Sequence, residues 1–517
     1  MTVIGDLPRR NAYRYADQPA LIANGVTLTW RDINARVNAL SHGLRRRGLD
    51  KGDRIAILST ARAEIVDVYF AAAKLGLIIV PIHTGLVERE VEFMLRDVGA
   101  RAVIIEEPFC GTFSAAVRAV SSIELAIAIG QHAGFDDYDT IARGDAIDEP
   151  RAAIEDTDLF AIRFTSGTTG LPKGCPSSHR DWLRRSMNFL AHVGHTHHDR
   201  ALMLSPLSLG VGSSMLMSYS LAGARMYLAP RFDAADALRI IAAEKITTFM
   251  IPVPTLFARL LDAPDIDVID LSSLRIVGYG GAIFPLPLLK RTLQRFQCDF
   301  FGVYGHLEAG GFSTYLLPED HRFGLDANVS TQKRERRLTS CGREALQADV
   351  RIVDETGVVL PPEEVGELVV RTEGMIADYW NRPGEIEKSI RDGWFHTGDA
   401  ARIDADGYVY IVDRIKDVIR TGGMNVASLE IESVIQELTD VAEVAVVGAP
   451  DTRWGEAIVA CVVRAPQSTL TADAIIAHCR ERMANYKTPK KVEFFDQLPK
   501  NSMGKVLKRE LKPKFGG

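Results

Sequence analysis

Residues 164–174 read FTSGTTGLPKG, and this stretch decides the fold class. Three glycines and four hydroxyl side chains lie between the strand-like AIRF (161–164) and a helix predicted to start near Ser178. Glycine lets the backbone turn its N–H groups toward an anion, and Ser and Thr hydroxyls add further donors. A Walker A loop would need Gly in place of Pro172 and Ser or Thr in place of Gly174. The sequence therefore predicts a different phosphate-binding loop at a strand–helix junction.

Strand-like and helical segments alternate on both sides of this loop. An amphipathic helix is predicted from Trp30 with Thr29 as its cap. It is followed by RIAIL (54–58), a helix near 61–75, LIIVPI (77–82), a helix near 87–98 and RAVII (101–105). After the loop come a helix at 235–244 and the strand-like TTFMIPV (247–253), LRIVGYGGA (274–282) and CDFFGVYG (298–305). Such alternation is typical of parallel α/β sheets.

The pattern of predicted strands and helices changes twice toward the C-terminus. Between about 335 and 412, short alternating segments bounded by Gly and Pro predict a small β-barrel or sheet. After Asp413, a Gly-rich turn, a helix from Ser428 and further strands indicate a new unit. We therefore predict a mixed α/β fold. A large N-terminal domain would span 1–413, with subdomains of about 1–155, 156–334 and 335–413, and a small mobile α+β domain would span 414–517.

Composition excludes several classes of protein. The chain has 517 residues, and its 61 Lys and Arg against 67 Asp and Glu lack the basic excess of nucleic-acid-binding proteins. The six cysteines form no C-x-x-C pair, which favours a reducing compartment over a disulfide framework. The longest apolar stretch, 75–82, is less than half of the ~18 residues that a membrane span needs. We expect a cytoplasmic protein without a membrane span or a nucleic-acid partner, and a homodimer is left open.

Five motifs in register resemble the adenylate-forming superfamily of acyl-CoA synthetases, peptide-synthetase adenylation domains and beetle luciferases. TSGTTGLPKG (165–174) resembles its phosphate loop, YGHLE (304–308) its Y-G-x-T-E segment, and WFHTGD (394–399) the stretch that ends in a ribose-binding Asp. DRIKDVIRTGGMN (413–425) resembles its hinge and the turn that follows, and PKNSMGK (499–505) the segment with the catalytic Lys. The resemblance covers nearly the whole chain.

The resemblance implies an ATP- and Mg²⁺-dependent acid:CoA ligase. A carboxylate would attack the α-phosphate of ATP, pyrophosphate would leave, and the acyl-adenylate would be captured by CoA. Because two anions meet in the first step, cations are needed where charge accumulates. The alternatives are a stand-alone adenylating enzyme that loads a carrier protein, and a catalytically weak nucleotide- or acyl-binding protein.

The resemblance also implies roles for individual residues. Lys505 and Glu308 would be catalytic, with Glu308 the Mg²⁺ ligand. Lys416 would be the hinge, and Gly422 and Gly423 would border the CoA tunnel. ATP and AMP would bind at Thr165, Ser166, Gly167, Thr168, Thr169, Gly170, Lys173, Gly281, Ala282, Tyr304, Gly305, Leu307, Asp399 and Arg414. The acyl pocket would be formed by Leu209, Gly210, Gly212, Gly280, Gly310 and Gly311.

Three positions depart from the family pattern. Leu307 stands where the family usually has a Thr that contacts the adenylate phosphate, Leu209 replaces an aromatic gate, and Met424 replaces the common Glu. The predicted pocket segments 205–214, 278–282 and 302–311 are rich in small residues and contain no Lys or Arg. These segments favour a bulky, mainly apolar aliphatic or aromatic acid over a dicarboxylate.

Overall fold

Four β-sheets organise the chain in the computed structural model, which describes residues 3–144, 146–165, 172–251, 253–500 and 506–516. The strands, numbered along the chain, are β1 (Pro19–Ala23), β2 (Val26–Thr29), β3 (Arg54–Leu58), β4 (Ile78–Pro81), β5 (Ala102–Glu106), β6 (Leu125–Ile129), β7 (Asp136–Asp137), β8 (Leu159–Thr165), β9 (Lys173–Ser178), β10 (Arg200–Met203), β11 (Arg225–Leu228), β12 (Thr248–Ile251), β13 (Ile276–Gly280), β14 (Asp299–His306), β15 (Gly311–Leu316), β16 (Arg343–Glu344), β17 (Ala348–Val353), β18 (Gly366–Thr372), β19 (Ile390–Arg391), β20 (Trp394–Ile403), β21 (Val409–Arg414), β22 (Ile419–Thr421), β23 (Met424–Val426), β24 (Val441–Asp451), β25 (Gly455–Arg464) and β26 (Lys491–Phe494). The helices are α1 (Asp6–Arg14), α2 (Trp30–Arg46), α3 (Ala63–Leu75), α4 (Glu88–Val98), α5 (Glu107–Ala119), α6 (Tyr138–Ala142), α7 (His179–Val193), α8 (Gly210–Ala222), α9 (Ala234–Glu244), α10 (Pro254–Leu261), α11 (Leu286–Phe296), α12 (Pro318–Leu325), α13 (Thr331–Leu338), α14 (Ser428–Ile435), α15 (Ala472–Arg482) and α16 (Lys508–Leu511).

Local sequence signals set several of these elements. Thr29 accepts the backbone N–H of Asp32 and Asp32 accepts that of Thr29, so a reciprocal capping box starts α2 at the predicted residue. Ser178 and Asp181 form the same box at the start of α7. The short β9 was not predicted, because its sequence KGCPSS contains Gly and Pro. It forms as an edge strand beside β8, where the missing N–H of Pro176 is tolerated.

The seven-stranded sheet has the order β7-β6-β5-β3-β4-β8-β9 and is parallel except for the β8–β9 hairpin. In that hairpin, Thr165 pairs with Lys173, so the two ends of the predicted phosphate loop lie side by side. The nine-stranded sheet has the order β16-β15-β14-β13-β12-β10-β11-β1-β2 and runs parallel from β1 to β14. The carboxyl ends of β13 and β14 therefore meet at one edge, where ligands of parallel α/β sheets commonly bind.

The small sheet predicted between 335 and 412 is present as strands β17 to β21, which pair antiparallel. Its β20 and β21 place Asp399 directly opposite Arg414. The sheets exchange strands across residue 155, since β8 and β9 join the earlier strands β3 to β7 while β1 and β2 join the later β10 to β16. The subdomain boundaries stay predictions.

The last part of the chain forms an α+β unit in which α14 and α15 pack beside the β22–β26 sheet. Asp413 ties this unit to β21, because its Oδ2 accepts both the N–H and the hydroxyl of Ser428 at the start of α14. Lys508 donates to Ser428 Oγ at 2.5 Å and lies 2.7 Å from Glu432 Oε1. The predicted mixed α/β fold with a small α+β C-terminal unit is confirmed. Across the described ranges, no helix has both the length and the apolar character that a bilayer crossing requires.

Candidate active site

The candidate site lies at the carboxyl ends of β13 and β14. Gly280 ends β13 and pairs with Val303, so Gly281 and Ala282 emerge beside Tyr304. The chain leaves β14 after His306 and places Glu308, four residues beyond Tyr304, in the connection to β15. The sheet thus brings two predicted nucleotide-binding segments and the predicted metal ligand to one edge.

Asp399 is the centre of the first group of polar side chains. It is only 3% exposed, and its Oδ1 lies 2.7 Å from Nε of Arg414. The hydroxyl of Tyr304 donates to Oδ2 at 2.5 Å, and His306 Nε2 lies 3.6 Å from the same oxygen. Tyr304 and His306 of β14 and Arg414 of β21 thereby converge on the one carboxylate that β20 supplies.

The contacts of Asp399 refine what was expected of its neighbours. Tyr304 was predicted to bind ATP or AMP, and its hydroxyl donates to Asp399. Burial, and then the Asp399 charge, raise the pKa of Tyr304 well above its ordinary value, so the hydroxyl stays a donor. A carboxylate has about four acceptor positions, so two remain on Asp399 for further donors such as ribose hydroxyls.

Glu308 belongs to a second group of polar side chains, whose contacts could not be predicted from the sequence. Its Oε1 accepts the hydroxyl of Tyr379 at 3.1 Å. The ring of the same tyrosine lies 4.7 Å from Lys173 Nζ, and that ammonium also lies 2.7 Å from Glu385 Oε1. Tyr379 therefore connects the predicted metal ligand to the lysine that ends the phosphate loop.

Tyr379 and Glu385 come from the segment between β18 and β19. The backbone N–H of Trp380 donates to Gly174 O at 2.8 Å, which holds this segment against β9. The only sequence signal was the aromatic pair Tyr379–Trp380 ahead of the turn-forming Asn-Arg-Pro-Gly. Nothing in the local pattern indicates that the pair packs on residues more than 200 positions earlier.

The surroundings of Glu308 fit a magnesium ion. Mg²⁺ prefers carboxylate oxygens and keeps most of its sites for phosphate and water. Tyr379 occupies Oε1 only, and among the described residues Oε2 receives no hydrogen bond. One carboxylate oxygen is thus available, and Tyr379 connects it to Lys173, which is predicted to bind ATP.

The structure shows the contacts of two residues that depart from the family pattern, Leu307 and Leu209. Leu307 packs against the buried cluster of Cys175, Ile376, Tyr379 and Ile386. Leu209 is the N-terminal flanking residue of α8 and donates its N–H to Pro206 O. Gly212, expected to make room for an acyl group, has a structural reason as well, because a Cβ there would lie 2.1 Å from Pro206 O.

The predicted hinge and tunnel residues lie at the start of the C-terminal unit. Lys416 is in a short 3₁₀ turn, and its carbonyl accepts Lys512 Nζ at 3.1 Å. Gly422 and Gly423 form the turn between β22 and β23, both with positive φ. Trp454 lies over Gly422, where a Cβ would come within 3.1 Å of the indole. Gly422 N–H also donates to Trp454 O at 2.7 Å.

Several predicted residues lie outside the described residues. They are Ser166, Gly167, Thr168, Thr169 and Gly170 of the phosphate loop, and Lys505. The remaining ATP- and acyl-site predictions fall on described positions: Thr165 at the end of β8, Gly305 on β14, Gly310 before β15 and Gly311 at its start.

Comparison with known proteins decides the family. The family model described as AMP-binding enzyme matches residues 8–380. A second family model, described as AMP-binding enzyme C-terminal domain, matches residues 430–505. The chain belongs to the AMP-binding enzyme family. The resemblance and the ligase class predicted from the five motifs are thereby confirmed.

Named relatives narrow the class to adenylate-forming acid:CoA ligases. A feruloyl-CoA synthase from Amycolatopsis sp is 34% identical over 514 residues, covering 99% of both chains. The long-chain-fatty-acid–CoA ligase FadD13 of Mycobacterium tuberculosis is 33% identical over 490 residues, covering 95% of this chain and 93% of its own. The crystal structure of the anthranilate CoA ligase AuaEII with anthranoyl-AMP has a TM-score of 0.90 at 27% identity, with 99% of this chain and 97% of the other covered.

Proposed function

We propose that this protein joins a mainly apolar carboxylic acid to AMP with release of pyrophosphate, and then transfers the acyl group to CoA. The observation that carries the proposal is the pair of polar groups at one sheet edge. One is the Asp399 cluster and the other is Glu308 with Tyr379, beside the paired ends of the phosphate loop.

In the first half-reaction, Asp399 accepts the ribose hydroxyls on the two positions that Arg414 and Tyr304 leave open. Charge-assisted bonds of this kind are short and strong, and Arg414 holds the carboxylate in place for them. Lys173 exchanges its contact with Glu385 for the β- and γ-phosphates. Lys505 offsets the repulsion between the substrate carboxylate and the α-phosphate.

Glu308 would hold the Mg²⁺ ion through the oxygen that Tyr379 does not occupy. The ion, when bound, neutralises charge on the phosphate oxygens. Tyr379 orients the carboxylate from behind, which is the usual task of a residue that hydrogen-bonds a metal ligand.

In the second half-reaction, the C-terminal unit turns about Lys416 and brings Gly422 and Gly423 to the acyl-adenylate. The 3₁₀ turn is a short connection between β21 and β22, and such connections absorb the dihedral changes of domain rotation. The contacts of Asp413 with Ser428 and of Lys512 with Lys416 would have to adjust during that motion.

The mainly apolar character of the acid is proposed on two grounds: the small residues of the predicted pocket segments, and the substrates in the names of the relatives. One relative is named for feruloyl-CoA and another for long-chain fatty acids, so a substantial apolar body is the shared property. We also propose that the protein is cytoplasmic and forms a homodimer. Light scattering on the purified protein tests the oligomeric state.

The test is a pyrophosphate-release screen of carboxylic acids ordered by length and aromaticity, with CoA added and omitted. We expect acid-dependent release, with AMP and an acyl-CoA thioester formed when CoA is present. Asp399→Asn should raise the KM for ATP, while Asp236→Asn at an exposed position of α9 serves as the matched control. Release that no acid stimulates would overturn the function. Stimulation by a phosphopantetheinylated carrier but not by CoA would overturn the acceptor.

A further inference from the structure

Two arginines are buried in the middle of the large domain. Arg163 on β8 is 4% exposed and Arg185 on α7 is 5% exposed. Both guanidinium groups pack on Trp182, at 4.4 and 5.3 Å from its ring centroid. Two cations thus share one aromatic ring inside the protein.

Neither guanidinium has a carboxylate partner in the part of the chain that the structure describes. Arg185 donates from Nε to Gly310 O at 2.5 Å, but its Nη1 has no acceptor there. For Arg163, both Nε and Nη1 are buried without an acceptor in the same part of the chain. Residues 166–171, which follow Arg163 closely, are SGTTGL and contain no carboxylate.

This arrangement is unusual for buried charge. An isolated buried ion loses its hydration, and stacking of a cation on an aromatic ring returns only part of that free energy. Elsewhere in this chain the half-buried Arg36 lies 2.5 Å from the buried carboxylate of Asp67. Burial lowers the pKa of Arg185 to about 10 and that of Arg163 well below its ordinary value, so unfavourable burial acts on both.

The unpaired atoms lie at the predicted acyl pocket. A Cβ on Gly210 would lie 3.9 Å from Arg163 Nη1 and 3.4 Å from Leu307 Cδ2. A Cβ on Gly311 would lie 2.8 Å from Arg185 Nε. Gly210 also begins α8, whose first N–H groups have no acceptor within the helix and favour an anion.

These cations escaped the sequence analysis because they come from elements outside the pocket segments. The loops at 205–214, 278–282 and 302–311 contain no Lys or Arg, and they favoured an apolar acid on that ground. Arg163 of β8 lies close to Gly210 of the first segment, and Arg185 of α7 lies close to Gly311 of the third. The predicted pocket therefore combines small, apolar residues with two buried cationic side chains, Arg163 and Arg185.

We propose that the acid activated by this enzyme carries, besides the carboxylate that is adenylated, a second carboxylate that binds between Arg163 and Arg185. The inference rests on the proposed ligase function and names the substrate class of that site. The acid would have an apolar body between its two charged ends. The second carboxylate would occupy the donor atoms that the protein leaves without acceptors.

The first experiment compares substrates with the unmodified enzyme. Linear α,ω-dicarboxylic acids of four to ten carbons and the three benzenedicarboxylic acids are each paired with their monomethyl esters. The ester has the same body and one reactive carboxylate but lacks the second charge. We expect kcat/KM for acid-dependent pyrophosphate release to favour at least one diacid over its ester by about tenfold or more.

The second experiment removes each charge at nearly constant volume, with Arg163→Met and Arg185→Met. Each variant should lose most of the diacid preference while its kcat/KM for the ester stays within about threefold. Arg184→Met is the matched control, because Arg184 lies on the same helix but is exposed and paired with Glu373 at 2.7 Å. Melting temperatures are recorded alongside, and we expect neither methionine variant to fall below the control, since each removes an unpaired buried charge.

The outcomes separate this inference from the proposed function. If no acid of either kind releases pyrophosphate, the ligase function fails. If the esters and other monoacids react as well as every diacid, the ligase function stands and the second-carboxylate site is refuted. If the methionine variants raise the KM for ATP equally with both kinds of acid, the arginines bind nucleotide phosphate and the inference is likewise refuted. Should a variant fail to fold, the comparison with the unmodified enzyme still decides.

Discussion

Tyr379 offers a direct test of how the metal ligand is positioned. Its hydroxyl donates to Glu308 Oε1 at 3.1 Å, and its ring lies 4.7 Å from Lys173 Nζ. The substitution Tyr379→Phe removes the hydroxyl and keeps the ring. It therefore separates the contact with Glu308 from the contact with Lys173.

The expected size of the effect follows from the kind of bond that is lost. A hydrogen bond to a charged group contributes about 1.5–3 kcal/mol, and Tyr379 is 6% exposed, so solvent does little to replace it. A loss of about 1.5 kcal/mol corresponds to about tenfold. Substitution of residues that orient metal ligands commonly costs about 10–100-fold in metal affinity or activity. Burial raises the pKa of Tyr379 well above its ordinary range, so the hydroxyl is a donor at every practical pH.

The assay measures the initial rate of pyrophosphate release while Mg²⁺ is varied at fixed ATP and acid. For Tyr379→Phe we expect the Mg²⁺ concentration at half-maximal rate to rise about tenfold. Tyr379→Leu should add a two- to fivefold rise in the KM for ATP, because a cation–π contact of about 0.5–1 kcal/mol is lost as well.

Tyr227→Phe is the matched control, since its hydroxyl also donates to a glutamate, Glu244 of α9, at 3.1 Å, and its strand β11 is separated from β13 and β14 by β10 and β12. An Mg²⁺ dependence of Tyr379→Phe equal to that of the control would refute the reasoning. It would show that Tyr379 does not position the metal ligand.

Three further predictions concern other groups. Glu385→Gln frees Lys173 from an ion pair of about 0.5–1 kcal/mol, so the KM for ATP should fall about two- to fivefold, and an unchanged or raised value would contradict the phosphate role of Lys173. Lys505→Ala should abolish formation of acyl-AMP but leave thioester formation from supplied acyl-AMP largely intact, and equal loss of both would refute the assignment. Burial lowers the pKa of His179 and of His321 to about 4, so an unfolded chain binds these protons first. The stability they contribute is present above pH of about 6.5 and is lost as pH falls toward 4, by up to about 3 kcal/mol each. Urea unfolding at pH 7 and pH 5 measures this loss, and an unaltered pH dependence in His321→Gln would contradict it.

Much of the fold could be predicted because its signals are local. The capping residues Thr29 and Ser178 lie within three positions of the backbone groups they satisfy, and both helices begin where expected. Alternating apolar strands and helices specify a parallel sheet whatever the partner strands are. The strand β9 was missed for the opposite reason, because pairing with β8 outweighs the weak strand propensity of KGCPSS.

In the candidate site, too, local features could be predicted from the sequence and long-range contacts could not. The resemblance of short motifs to the family predicted roles for Glu308, Asp399, Arg414 and the phosphate loop, since each motif lies within a few residues. The partners of those residues could not be predicted. Tyr304 is 95 positions from Asp399 and Tyr379 is 71 positions from Glu308, and no periodic pattern connects such distant residues.

By itself, then, the sequence determined the fold class, the alternation of strands and helices and the reaction class, because propensity, capping and short motifs act over a few residues. Only the tertiary structure decided which side chains meet. It set Tyr379 against Glu308 and Lys173, and it brought Arg163 of β8 close to Gly210 and Arg185 of α7 close to Gly311. The physical reason is that these contacts depend on the packing of whole sheets and helices, and burial then sets the charge and the unmet hydrogen bonds of each group.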